Sequence, residues 1–242
     1  MVLPTCARPR IEESNNLFVL RKSPAMPITS IEIESAIRHL KAVDPVMADL
    51  IARAGPFSLK LERNRFGLLV RSILSQQIST KAARSIRLRL DDLIKPLPLS
   101  AKAILERTDE ELRSVGLSRQ KVSYLKDLSE RVLDQRLRLD RIGRLTDEEA
   151  IEHLIQVRGI GRWTAQMFLI FSLGRLDVFP HDDLIVRASI KELYKLTDLP
   201  SKQQSHEIAS LWKPYSSIAS WYCWRLLDVK NDPTMDASRY PV

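Results

Sequence analysis

LIQVRGIGRWTAQMFLIFSLGRLDVFPHDDLIVR, running from Leu154 to Arg187, is the stretch whose reading decides the fold. Leu154, Val157 and Ile160 are apolar at a spacing that packs one helix against another, and Thr164-Ala165 keeps a second helix slim where the two cross. Between them, Gly159 and Gly161 lack Cβ atoms and are both expected to take the left-handed backbone of a tight helix-to-helix turn. The second helix is expected over about Arg162–Leu173. Its first amides have no intrahelical acceptor, and the helix dipole places its positive end on them. That is a seat for one phosphate which reads no base sequence. On the glycines alone, the same string is also no more than a plain turn in an all-α protein.

Helical signals continue on both sides of this hairpin. Thr146-Asp-Glu-Glu149 is a capping box that starts its first helix, so the hairpin motif spans 147–173, and Thr108-Asp-Glu-Glu111 starts an earlier helix closed by Gly116. Thr29 or Ser30 caps a segment to about Lys41; Asp44-Pro45 opens the next, which Gly55-Pro56 ends. Phe66–Leu74 reads as a largely buried helix, and a more charged one begins near Ser79. Pro96 and Pro98 interrupt the chain before a short helix at Ala101–Glu106, and Ser118 caps a long one to about Arg136. Three more are expected at Asp182–Leu196, Ser201–Trp212 and Tyr215 to about Asp228. No strand alternation is present, so the fold class is all-α, with roughly ten to twelve helices. Residues 1–28 mix prolines and charges without a period and read as a flexible basic tail; Glu12 and Glu13 argue against a transit peptide. Residues 29–242 then form one domain.

The net charge of +8 gives a surface potential that attracts polyanions, nucleic acid foremost. No apolar run approaches the roughly eighteen residues of a membrane span, so a soluble protein with no membrane partner is expected. Cys6 and Cys223 are too few for a disulfide framework, a four-thiolate zinc site or an iron–sulfur cluster. His39, His153, His181 and His206 show no metal-ligand spacing.

The pattern L-x-x-V-x-G-I-G-x-W-T-A, with Asp182-Asp183 about twenty residues on, resembles the helix-hairpin-helix superfamily of DNA repair glycosylases, and within it the inducible type of 3-methyladenine DNA glycosylase II. On its own an Asp before a helix is a cap. The resemblance implies that Asp183 is catalytic and that Asp182 caps or supports the loop. It also implies a two-lobed fold with a DNA cleft between the lobes. An ionised carboxylate beneath C1′ suits the chemistry, because cleaving an N-glycosidic bond builds positive charge on the sugar.

Relatives with lyase activity carry a lysine where Trp163 stands here, and an indole forms no Schiff base, so a monofunctional enzyme using water is implied. Trp163 and Trp224 are candidates to stack on a methylated, electron-poor purine, with Met167 and Leu184 at two further pocket positions. Each tryptophan reads equally as core. Ser75-Gln76-Gln77-Ile78-Ser79 is similar to the family's S-Q-Q-x-S segment, which gives Gln77 the role of a wedge into the minor groove and draws Ser79 into DNA contact. Gly159, Gly161, Arg158, Arg162, Lys81, Arg119 and Lys121 are candidates for the phosphate track. The family also implies a structural Na⁺ or K⁺ on the carbonyls of Ile155, Val157 and Ile160; no other cofactor is required. The implied activity is excision of 3-methyladenine and 7-methylguanine from double-stranded DNA, by a monomer, in base excision repair. Its compartment would be the bacterial cytoplasm and nucleoid or the eukaryotic nucleus. The alternative is a helix-hairpin-helix module that grips DNA without catalysis.

Overall fold

Polar side chains placed just before apolar runs set the start of most helices. The computed structural model describes residues 28–231, with side chains through 227, and every regular element in that range is helical. The helices are α1 (Ser30–Val43), α2 (Pro45–Ala54), α3 (Arg65–Ser75), α4 (Thr80–Ile94), α5 (Ala101–Leu105) and α6 (Asp109–Ser114). They continue with α7 (Arg119–Leu133), α8 (Asp147–Ile155), α9 (Arg162–Phe171), α10 (Leu184–Leu193), α11 (Lys202–Ala209) and α12 (Ser216–Asn231). Two 3-10 turns, Ile142–Arg144 and Ser210–Trp212, complete the set.

The capping boxes at Thr108 and Thr146 form as expected, each hydroxyl accepting from the N3 amide while the N3 glutamate returns to the cap. Thr29–Glu32 and Ser201–Gln204 make two more. Boundaries differ where a cap or a left-handed residue intervenes. The long helix after Ser118 stops at Leu133, before Gln135 turns left-handed, and α10 begins at Leu184, because Asp183 is its cap. Residues 1–27 of the basic tail lie outside the described range.

The helices pack as two groups. The ends of the chain form one, with α1 against α2, α2 against α12, α10 against α12, and α1 against the Ser210–Trp212 turn. The middle forms the other, with α3 against α4, α7 and α9, α5 and α6 against α7, and α8 against α9. This is the two-lobed arrangement. A single buried apolar cluster from Ala36 to Leu226 runs through both.

Asp44 fastens the first group. It is 2% exposed, and its Oδ1 accepts the amides of Val46 and Met47 at 3.0 and 3.1 Å, capping α2. Its Oδ2 accepts from Trp212 Nε1 at 3.0 Å and from the Tyr194 hydroxyl, 150 residues away in the chain. A carboxylate can be buried at this cost only when its lone pairs are filled in this way.

Helix α9 places the functional end of the fold. Every residue from Thr164 to Phe171 is buried, so the helix lies inside the core rather than on it. Only its N-terminal residues Gly161, Arg162 and Trp163 are exposed. The core therefore holds the helix by its body and presents its positive dipole end to solvent.

Candidate active site

The two hairpin glycines serve different purposes. Gly159 is left-handed, with φ +82°, and a Cβ there would stand 2.1 Å from the Tyr124 ring. Gly161, expected to be left-handed too, has φ −92° and ψ 174°, an extended conformation open to any residue. It is the N-cap of α9 without a side-chain cap bond, and a Cβ on it would meet nothing within 4 Å. Gly159 is thus required by the turn, whereas Gly161 leaves open the approach to the first amides of α9. Asp127, 6% exposed on α7, accepts the Arg158 amide at 2.8 Å and steadies the turn from beneath.

Asp183 lies beside this seat. Its Oδ1 accepts the Val186 amide at 2.9 Å, so the capping role expected of Asp182 belongs to Asp183 itself. Its Oδ2 accepts from Trp163 Nε1 at 2.8 Å. Trp163 follows Gly161 by two residues, so the carboxylate is within one indole of the phosphate seat. Asp183 is 6% exposed, and the indole that donates to it is 44% exposed. Asp182 faces outward and pairs with Lys202 at 2.6 Å and His181 at 3.2 Å. The hydrogen bond from Lys202, helped by the nearby His181, holds the Asp182 carboxyl below the usual carboxylate range.

The turn between α3 and α4 reaches the hairpin through Gln76, whose Nε2 donates to the Gly159 carbonyl at 2.8 Å. Gln77 is exposed and left-handed, with φ +58°. Ser79 caps α4, accepting from the Ala82 amide at 3.3 Å. Lys81 and Arg119 are exposed in the first turns of α4 and α7. Arg158 is exposed with its Nε 3.6 Å from Asp127, and Arg162 is paired with Glu148 across the hairpin. Lys121 departs from its expected place on the phosphate track. Its Nζ donates to the carbonyls of Leu74 and Gln76, both at 2.7 Å, and burial pulls its pKa down. It closes the end of α3 because those last carbonyls have no intrahelical donor.

The first turns of α6 and α8 carry three acids each, while those of α4, α7 and α9 carry none and hold Lys81, Arg119 with Lys121, and Arg162. Cations at a helix N-terminus oppose the dipole and cost stability. The bonds from Lys121 and Gln76 tie the turn before α4 to the first turn of α7 and to the hairpin before α9.

The expected base pocket is only partly assembled. Trp163 and Leu184, 44% and 65% exposed, flank Asp183. Trp224 is 3% exposed, its ring 5.4 Å from that of Phe171, and Met167 is 8% exposed. Trp224 is core: α12 is buried along its length from Ser216 to Leu226, and the indole fills space beside the end of α9. A groove of about 940 Å³ lined by Phe57, Leu59, Arg63, Phe66 and Leu139 holds none of the predicted site residues, whereas a smaller hollow of about 280 Å³ between α10 and α12 includes Leu184. Gln76, Tyr124 and Asp127 were not foreseen; the signal for the last two is a shared face with Lys121, at a spacing of three along α7.

Residues 70–214 match the model of the HhH-GPD superfamily of base excision DNA repair proteins. The chain belongs to this superfamily. Among HhH-GPD proteins, DNA-3-methyladenine glycosylase 1 of Schizosaccharomyces pombe is 33% identical over 77% of the chain and 84% of its own length. The alkylbase DNA glycosidase-like protein mag2 of the same yeast is 30% identical over 81% of the chain and 94% of its own length. The solved structure of S. pombe 3-methyladenine DNA glycosylase Mag1 in complex with abasic DNA superposes with a TM-score of 0.72 at 30% identity, over 84% of this chain and all of that one. A DNA-3-methyladenine glycosidase from Bacillus halodurans gives 0.74 at 32% identity, over 84% of this chain and 93% of its own.

Proposed function

We propose that the protein is a monofunctional DNA glycosylase that releases alkylated purines, 3-methyladenine and 7-methylguanine, from double-stranded DNA in base excision repair. The observation that carries this is the Asp183 carboxylate, fixed by Trp163 and Val186 within one indole of the Gly159–Gly161 seat. The hairpin amides grip a phosphate, the damaged nucleotide leaves the stack, and Asp183 faces the sugar as positive charge develops on C1′. The alkylated base carries a formal positive charge and leaves without much acid catalysis. Water completes the reaction. No lysine stands where Trp163 does, and Lys202, the first residue of α11, is held by Asp182. The half-exposed Trp163 and exposed Leu184 supply the apolar surface for a flipped base.

Among the described residues, no cluster of His, Cys, Asp or Glu suits a metal ion, and no helix is long and apolar enough to cross a membrane. The carbonyls of Ile155, Val157 and Ile160 are the groups that would hold a Na⁺ or K⁺. Val157 O already accepts the Ile160 amide at 3.0 Å, which leaves a second lone pair, and neutral oxygens fit a singly charged hard ion. Such an ion would add one positive charge beside the phosphate.

The test is to incubate the protein with alkylated DNA and measure free methylpurine and alkali-labile sites. Base release with no borohydride-trapped adduct is the expected result. DNA binding without release would instead identify a non-catalytic binding module.

A further inference from the structure

The segment Ser75–Ser79 is poorly held by its own backbone. The Gln76 amide reaches the Ile73 carbonyl at 3.4 Å and the Ile78 amide reaches the Ser75 carbonyl at 3.5 Å, both long for such bonds. Gln77 is left-handed at φ +58°, a conformation that non-glycine residues keep only when their surroundings impose it. The imposition comes from side chains. Lys121 donates to the carbonyls on both sides of Ser75, those of Leu74 and Gln76, and Gln76 donates to the Gly159 carbonyl.

Lys121 is not isolated on α7. Tyr124, one turn on, lies directly beneath Gly159, and Asp127, a turn further, accepts the Arg158 amide. One face of one helix therefore supports both the hairpin that seats a phosphate and the turn that carries Gln77. Lys121 spends its charge on two neutral carbonyls, with no carboxylate contact among the ion pairs of the described residues. Part of the ammonium's hydration is given up for these two bonds, and an apolar residue in its place would leave both carbonyls without that donor.

We propose that Lys121 and Gln76 are positioning residues that hold Gln77 at a fixed offset from the phosphate seat, so that the turn fills the gap left by an extruded base. This rests on the glycosylase reading. Neither residue touches the reacting atoms, and both act through the α3–α4 turn. Their contribution lies in the extrusion step, whose cost is the stacking and pairing of the target base.

The prediction is a substrate-dependent defect. Lys121→Met keeps the aliphatic stem and removes the donors; Gln76→Met removes one bond and tests the same idea should the first variant fold poorly. Single-turnover release of 7-methylguanine is measured from a duplex with a paired cytosine and from one with an abasic site opposite. Either variant should lose about tenfold or more on the paired substrate and stay near the wild-type rate on the unpaired one. Lys121→Arg, which keeps two donors, should recover most of the loss. Equal losses on both substrates, or no loss on either, would overturn the proposal. A wild-type protein that releases no base overturns the glycosylase reading instead. In that case fluorescence of 2-aminopurine at the target position still reports extrusion, and an unchanged signal in Lys121→Met would overturn the positioning role.

Discussion

Asp183 has two duties that one pair of substitutions separates. As the N-cap of α10 it accepts the Val186 amide, and under the proposed function its charge would face the sugar. Asparagine caps helices as well as aspartate does, so Asp183→Asn keeps the α10 cap while removing the charge and the second acceptor, which Trp163 Nε1 uses. Asp183→Ala removes the cap as well, at about 1 kcal/mol, which for a chain of this size lowers Tm by roughly 2–4 °C. The catalytic loss is estimated from the charge itself. A carboxylate about 4 Å from a developing cation, at an effective dielectric near 20, supplies about 4 kcal/mol, or on the order of a thousandfold in rate. The assay is single-turnover release of methylpurine at saturating protein, with DNA affinity and thermal unfolding measured in parallel. Both variants should lose release to this extent, only the alanine variant should melt earlier, and affinity should hold or rise as a negative charge leaves the phosphate track. An asparagine variant that keeps release within tenfold of wild type would refute the role of the charge.

Other outcomes follow from the same geometry. Trp163→Phe keeps an aromatic face and removes the donor to Asp183; with the ring half exposed, water offsets part of the loss, so kcat should fall about tenfold with KM nearly unchanged, checked by a full kinetic titration. Gly159→Ala should lower Tm and weaken DNA binding, since the backbone is left-handed and the Tyr124 ring occupies the space, whereas Gly161→Ala should melt as wild type does and lose affinity alone. Asp44→Ala strands the donors of Trp212, Tyr194 and the first turn of α2, and should cost about 3 kcal/mol, seen as a Tm roughly 6–12 °C lower.

The helices were legible because their signals are local. Thr108 and Thr146 cap within three residues, Pro45 and Gly55 bound α2, and Gly159 marks a turn that only a left-handed residue makes. The candidate carboxylate is singled out for a different reason: Asp183 stands where the resemblance to the glycosylase superfamily places its acid, in one continuous stretch with the hairpin, while its residues alone read as a helix cap. Side-chain direction was not legible. Trp224 and Trp163 are the same residue type beside comparable neighbours, yet one fills the core against Phe171 and the other meets Asp183 at the surface. Lys121 and Arg119 sit two apart in one first turn, and only the packing of α7 against α3 sends the ammonium of Lys121 inward to two carbonyls. Local sequence sets which backbone groups need partners and where a helix starts. Which distant chain supplies the partner depends on how helices far apart in sequence meet, as Asp44 with Trp212 and Gln76 with Gly159 do, and that is decided only when the core closes.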